Sequence, residues 1–320
     1  MKKIGCLIFV LSAAAYTASA QFYLRAGLGY AFPQAGQTTY NTGIPYYEFS
    51  SAYSGTRTIN ASGSQTYNIK PVSFSSGVQS VLGLGYMFTE NIGFQLDAGI
   101  GLADKKYTFN DENIPINYAS GSTVVTIVSN VSTTQQASTP FFLMPSLVLQ
   151  TNRDKLNVYT HFGLALPLNT KITEHQIITN APGTGSLSTD DFTWQVKSGF
   201  SLGFTAALGL KYSINDKVSI WGELSLLSMA VYTKEQDLQS WVEDGQPVAL
   251  SNYPNAQKIK FSKTATVDST YSSFPTYAQP FSNIGINVGV SFNLSEKRTP
   301  RHSKHNSDIE VDDTKPFRRR

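Results

Sequence analysis

The chain has 320 residues, of which 41% are hydrophobic and only 15% charged, with a net charge of +3 and a single cysteine. Residues 295–320 carry eight basic against five acidic side chains, so the preceding part is close to neutral and offers no electrostatic footprint for nucleic acid. After Gln21 no apolar run approaches the ~18 residues that a membrane-spanning helix requires.

Met1–Ala20 reads as a secretory signal. Lys2 and Lys3 supply the positive start, Ile4–Ala15 the apolar stretch, and Ala18-Ser19-Ala20 the small-residue cleavage site, with the cut expected between Ala20 and Gln21. Cys6 would leave with that segment, so no disulfide or thiol chemistry is expected of the exported part. An exported chain without helical spans is either soluble or a membrane β-barrel, because lipid tolerates only helices and closed barrels. Abundant Gly, Ser, Thr, Asn, Tyr and Phe suit a barrel with an apolar outside and a polar inside, although a soluble sandwich shares much of that composition.

Alternation with a period of two then marks the strands in order: Phe22–Phe32, Val78–Phe88, Ile92–Leu102, Phe141–Gln150, Leu156–Leu168, Phe200–Ile214, Val218–Tyr232 and Phe281–Leu294. In Ile92–Leu102 every even position is apolar, whereas Gly93, Gln95, Asp97, Gly99 and Gly101 fill the odd ones. The segment Leu82–Asp97 aligns without gaps onto Leu208–Glu223, with a third copy around Leu147–Phe162. Each copy is an alternating run, a tight polar turn and a second alternating run, which is a β-hairpin, and the turns near Glu90, Arg153 and Asp216 recur regularly. Three tight turns therefore alternate with four long connections, 33–77, 103–140, 169–199 and 233–280. This asymmetry predicts an all-β, antiparallel up-and-down transmembrane barrel of eight strands over 21–294, with long extracellular loops and short periplasmic turns. Ten strands remain the alternative, since Thr123–Val128 and Lys258–Thr266 alternate well enough to extend the hairpins above a membrane. The tail, 295–320, is rich in charge and poor in apolar residues and is expected to be a disordered periplasmic extension.

The Ala20–Tyr30 start resembles the outer-membrane β-barrel domain common in Bacteroidota, and Gly83-Leu84-Gly85-Tyr86 leading into Phe88–Phe94 is similar to that family's periplasmic hairpin. The resemblance implies a small barrel of the OmpA or OmpX kind, in a Gram-negative outer membrane, but no particular activity. It also implies insertion by the barrel-insertion machinery, with Phe292 as the aromatic signal near the end of the last strand.

The alternation turns Arg25, Asp97, His161, Lys211 and Glu223 inward, together with Tyr23, Gln95, Tyr159 and Trp221. Lys211 and Glu223 are expected as diagonal neighbours across their hairpin. An eight-stranded lumen is only wide enough for side chains to fill it, so this cluster reads as a structural ion-pair network. A narrow diffusion channel is the second reading and a lipid-modifying enzyme the third, the latter lacking a nucleophile motif and a position at the outer rim. No catalytic, cofactor or metal residues are expected: His302 and His305 lack companions, and His175 beside Glu174 reads as a solvated loop histidine. Aromatic girdles are expected from Tyr86, Phe88, Phe94, Tyr212 and Phe292 at one interface and from Phe32, Tyr107, Phe141, Phe200 and Tyr232 at the other. The expected partners are outer-membrane lipid and lipopolysaccharide, the insertion machinery and, through the loops, extracellular ligands; a monomer is expected.

Overall fold

A computed structural model describes residues 21–34, 40–41, 50–51, 55–59, 65–69, 71–120, 123–153, 155–182, 187–254, 257–264 and 273–294. The signal segment with its Ala20 junction, and the tail with His302 and His305, lie outside these residues; Gln21 opens the first strand.

Eight strands close a barrel, in the order Gln21–Pro33, Asn283–Asn293, Val218–Ser228, Gly203–Ser213, Leu156–Asn169, Phe141–Gln150, Ile92–Gly101 and Gly77–Met87. All neighbours are antiparallel, and the first and last strands complete the ring through pairs such as Leu24 with Phe292 and Leu28 with Val288. The eight-strand expectation holds, with shifted ends. The strand expected from Phe281 begins at Asn283, because Phe281 turns fully into a core and its N–H reaches the Met229 carbonyl at 3.2 Å. The strand expected from Phe200 begins at Gly203, which leaves Phe200 at the rim with 87% of its surface exposed.

The short turns are held by their own side chains. Asn215 accepts hydrogen bonds from the N–H groups of Lys217 and Val218 at 2.9 and 2.8 Å, and Thr89 accepts from Ile92 N–H at 3.0 Å. Such Asx-type caps explain why polar residues stop the alternation there. On the barrel wall Leu28, Leu82, Leu208, Leu224, Ile286 and Val288 all point outward and are each more than half exposed. They form part of an apolar belt far larger than a water-soluble monomer carries, and 10–14 residue strands are long enough to cross an apolar layer when tilted.

The long connections differ from the expected loops. Their strands continue the wall upward as a second sheet, in the order Ser273–Pro275, Lys258–Ser262, Ala230–Glu243, Ser188–Ser198, Ile172–Pro182, Thr123–Ala137, Lys105–Ser120, Gly55–Ile59 and Gln65–Ile69. Thr123–Val128 and the start of Lys258–Thr266 are thus extended, as their alternation suggested. They add to this sheet and not to the barrel.

Across the junction the apolar face changes sides. Below it, apolar residues face out; above it, Ile172, Ile178, Phe192, Trp194 and Val196 face in. The reversal occurs where strands break, as at Thr170-Lys171, 138–140 and 199–202. A one-residue slip in a strand exchanges its two faces, so a short interruption suffices to move a chain from lipid to water. At the junction itself Phe74, Phe142, Ile172, Val196, Leu227, Met229 and Phe281 pack into a core across the barrel mouth. Tyr107, expected in the outer girdle, instead packs on Phe74 and donates to the Ser73 carbonyl at 2.9 Å. Phe32 and Tyr232 do face outward.

On the outside of the upper sheet, Lys197, Glu235, Asp237 and Lys258 form an ion cluster that clamps three strands. Glu235 lies 2.9 Å from Lys197 and 3.2 Å from Lys258, while Asp237 contacts both lysines. The hydrogen bond from Lys197, seconded by Lys258, holds the Glu235 carboxyl at about 2, below its ordinary value of 4.5. A depressed carboxyl stabilises the fold above its unfolded-state value and loses that contribution as pH falls through the folded one. Carbon NMR of Glu235 should therefore show a midpoint near 2 at low salt, moving toward the ordinary value in molar salt as the exposed charges are screened. A midpoint at 4.5 in both conditions would show that the clamp does not form.

Candidate functional site in the barrel interior

Inward positions of four barrel strands bring four of the five predicted charges together. Arg25, on the first strand, donates from Nη2 to Glu223 Oε2 at 2.8 Å, and its Nε lies 3.9 Å from Asp97 Oδ1. Glu223 also accepts from Tyr159 at 2.8 Å and from Asn287 at 3.2 Å, and His161 Nε2 lies 3.3 Å from the same carboxylate. Asp97 accepts from Gln95 at 2.5 Å, and Gln95 accepts from the Tyr23 hydroxyl at 2.7 Å. Arg25, Asp97, His161 and Glu223 are all buried. A charge removed from water must be paired and hydrogen-bonded, and Glu223 meets that requirement on both oxygens.

Lys211 is inward too, but not as expected. The register sets it opposite Trp221, one step diagonal to Glu223, yet Arg25 has taken that carboxylate. The Lys211 ammonium lies instead over the Tyr23 ring, 5.1 Å from its centre, nearer the short-turn end. Trp221 is held from two sides: its indole N–H donates to the Val290 carbonyl at 3.0 Å and the Arg25 guanidinium stacks on its ring at 3.8 Å.

These side chains leave little space. Above the cluster, beside Asp97, His161 and Glu223, the cavity volume is about 40 Å³; below it, beside Tyr23, Arg25 and Lys211, about 20 Å³. Volumes of that size hold on the order of one to three waters.

A second polar layer escaped the sequence reading. Between the junction core and an upper core of Ile114, Val131, Ile178, Phe192, Trp194 and Leu238 lies Glu174, with no exposed surface. It accepts from Gln135 at 2.7 Å and from Gln236 at 3.3 Å, and Gln236 also reaches the Tyr277 hydroxyl at 3.4 Å. Burial pushes the Tyr277 phenol up. The signal was present as continued alternation, Ile172, Glu174, Gln176, Ile178, but its inward members are half polar. His175 points the other way, partly exposed, and pairs with Asp191 at 2.6 Å. Among the described residues no group of His, Cys, Asp and Glu is arranged to hold a metal ion.

A closed eight-stranded barrel with an apolar exterior and a polar, charge-paired interior defines an outer-membrane barrel protein. The chain belongs to the family described as the outer membrane protein beta-barrel domain, which it matches over residues 4–240. It is accordingly an outer-membrane protein. No curated protein matches it. Among solved structures, a Pseudomonas aeruginosa FadL homologue matches it at 7% identity over 86% of this chain and 88% of the other, with a TM-score of 0.12.

Proposed function

We propose that this is a non-enzymatic small barrel of the OmpA or OmpX kind, of the type found in Bacteroidota, serving as a filled anchor for a surface-recognition sheet. The carrying observation is the stacked interior: charge cluster, junction core, Glu174 layer and upper core succeed one another along the axis. A channel needs a continuous wet path, and cavities of about 20 and 40 Å³ beside a core of Phe74 and Phe281 argue against one. The buried carboxylates serve other protein groups, and a substrate-sized opening to them is lacking among the described residues, which favours a structural over a catalytic role.

In this reading the short turns and the tail face the periplasm, and the upper sheet faces the medium, where its surface would meet lipopolysaccharide and extracellular ligands. The barrel acts as a monomer placed by the insertion machinery. Planar-bilayer recording of the purified full chain tests the filled anchor. A membrane without steady openings is expected; steady openings whose conductance changes in Glu223→Ala would establish a channel instead.

A further inference from the structure

At the short-turn end the barrel opens into a blind vestibule of about 350 Å³, lined by Tyr23, Arg153, Lys155, Asn157, Lys211 and Asp216 among others. Its floor is closed by the Tyr23, Arg25, Tyr159 and Trp221 side chains that bound the 20 Å³ cavity above. Three cations therefore line one recess, with Asp216 the one acidic residue among its described lining. Arg25 has Glu223 and Asp97, but Lys211, Arg153 and Lys155 make no ion pair among the described residues. The carboxamides around them are occupied by the turns: Asn157 with the Arg153 backbone, Asn152 with Glu90, and Asn293 with the Asp216 carbonyl. Lys211 stands where the aligned repeat has Gly85, a place that the Tyr23 ring fills in that hairpin.

Lys211 gives up hydration in the barrel wall that the face of the Tyr23 ring returns only in part, and among the described lining residues three cations outnumber the one acidic residue, Asp216. We propose that the vestibule binds a small oxyanion, a phosphate or carboxylate group, with Lys211 at its base and Arg153 and Lys155 at its rim. Arginine offers a planar fork to such a group and lysine a point charge, so the set suits an oxyanion better than a halide. Because the recess is blind, occupancy is binding and not passage, and the inference does not depend on which side of the membrane the turns face.

Calorimetric titration of inorganic phosphate into the full chain, folded in detergent, tests it. One site is expected, weakened at least tenfold by Lys211→Met and left unchanged by Lys217→Met, a lysine on the neighbouring turn. Should Lys211→Met fail to give the heat-dependent gel shift of a folded barrel, Arg153→Gln combined with Lys155→Met replaces it, again with tenfold weakening expected. Absence of binding to the wild type, or equal affinity in the variants that fold, would overturn the site.

Discussion

Glu223→Ala should destabilise the folded barrel by about 3–5 kcal/mol, the range for breaking a buried pair by removing one partner. The carboxylate receives Arg25, Tyr159, Asn287 and His161 at once. Its removal leaves a buried guanidinium with only Asp97, at 3.9 Å, as a counter-charge among the described residues. The loss should belong to the orphaned charge more than to the pair. Arg25→Met with Glu223→Leu, which removes both ions and keeps their volume, should recover most of the lost stability. Urea unfolding in lipid vesicles gives the three values. A single variant as costly as the double, or a Glu223→Ala loss below about 0.5 kcal/mol, would place the energy of this cluster elsewhere.

The seam between first and last strands gives the second large effect. Gly27 and Gly289 face each other there beneath the Trp221 ring. A Cβ on Gly289 would lie 2.1 Å from the Ala26 carbonyl oxygen, 2.7 Å from Gly27 Cα and 2.6 Å from Trp221 Cζ2. Two of these atoms are backbone and cannot rotate away, so the strands themselves must separate. Gly289→Ala should cost at least the upper end of the ~1–3 kcal/mol seen for overpacking. At Gly222, where the nearest atoms would be 3.8 Å away, alanine should change stability by no more than about 0.5 kcal/mol. The fraction of each variant that folds into vesicles, scored by the gel shift, separates them. Equal behaviour would mean that the seam is looser than its geometry.

Much of the barrel was legible because its signal is redundant. Strand Ile92–Gly101 shows five outward apolar residues against inward Gly, Gln and Asp, and its relatives repeat that pattern at regular spacing. The inward charges followed from the same parity. What parity cannot give is pairing: Lys211 and Glu223 are neighbours by register, and only the three-dimensional reach of Arg25 decides which cation wins. The upper sheet was hidden for a different reason. Once strands leave the lipid their apolar side faces inward, and inward polar residues such as Gln135, Glu174 and Gln236 dilute the pattern. Bulges add to this, as between Asp111 and Ile114 and between Thr193 and Trp194, where the phase shifts within one strand. Tyr107 was misplaced because an aromatic near a strand end looks alike whether it meets headgroups or a Phe74 ring.

Gln21–Pro33 bonds on one side to Gly77–Met87 and on the other to Asn283–Asn293, the final strand. Half of its ladder thus waits for residues some 260 positions downstream. Until they arrive, two rows of peptide groups lack partners, which hydrocarbon does not forgive. Assembly of this molecule is therefore bound to be late and all-or-none: a nascent hairpin gains little alone, and the ring becomes lipid-compatible only when its last stave drops into place.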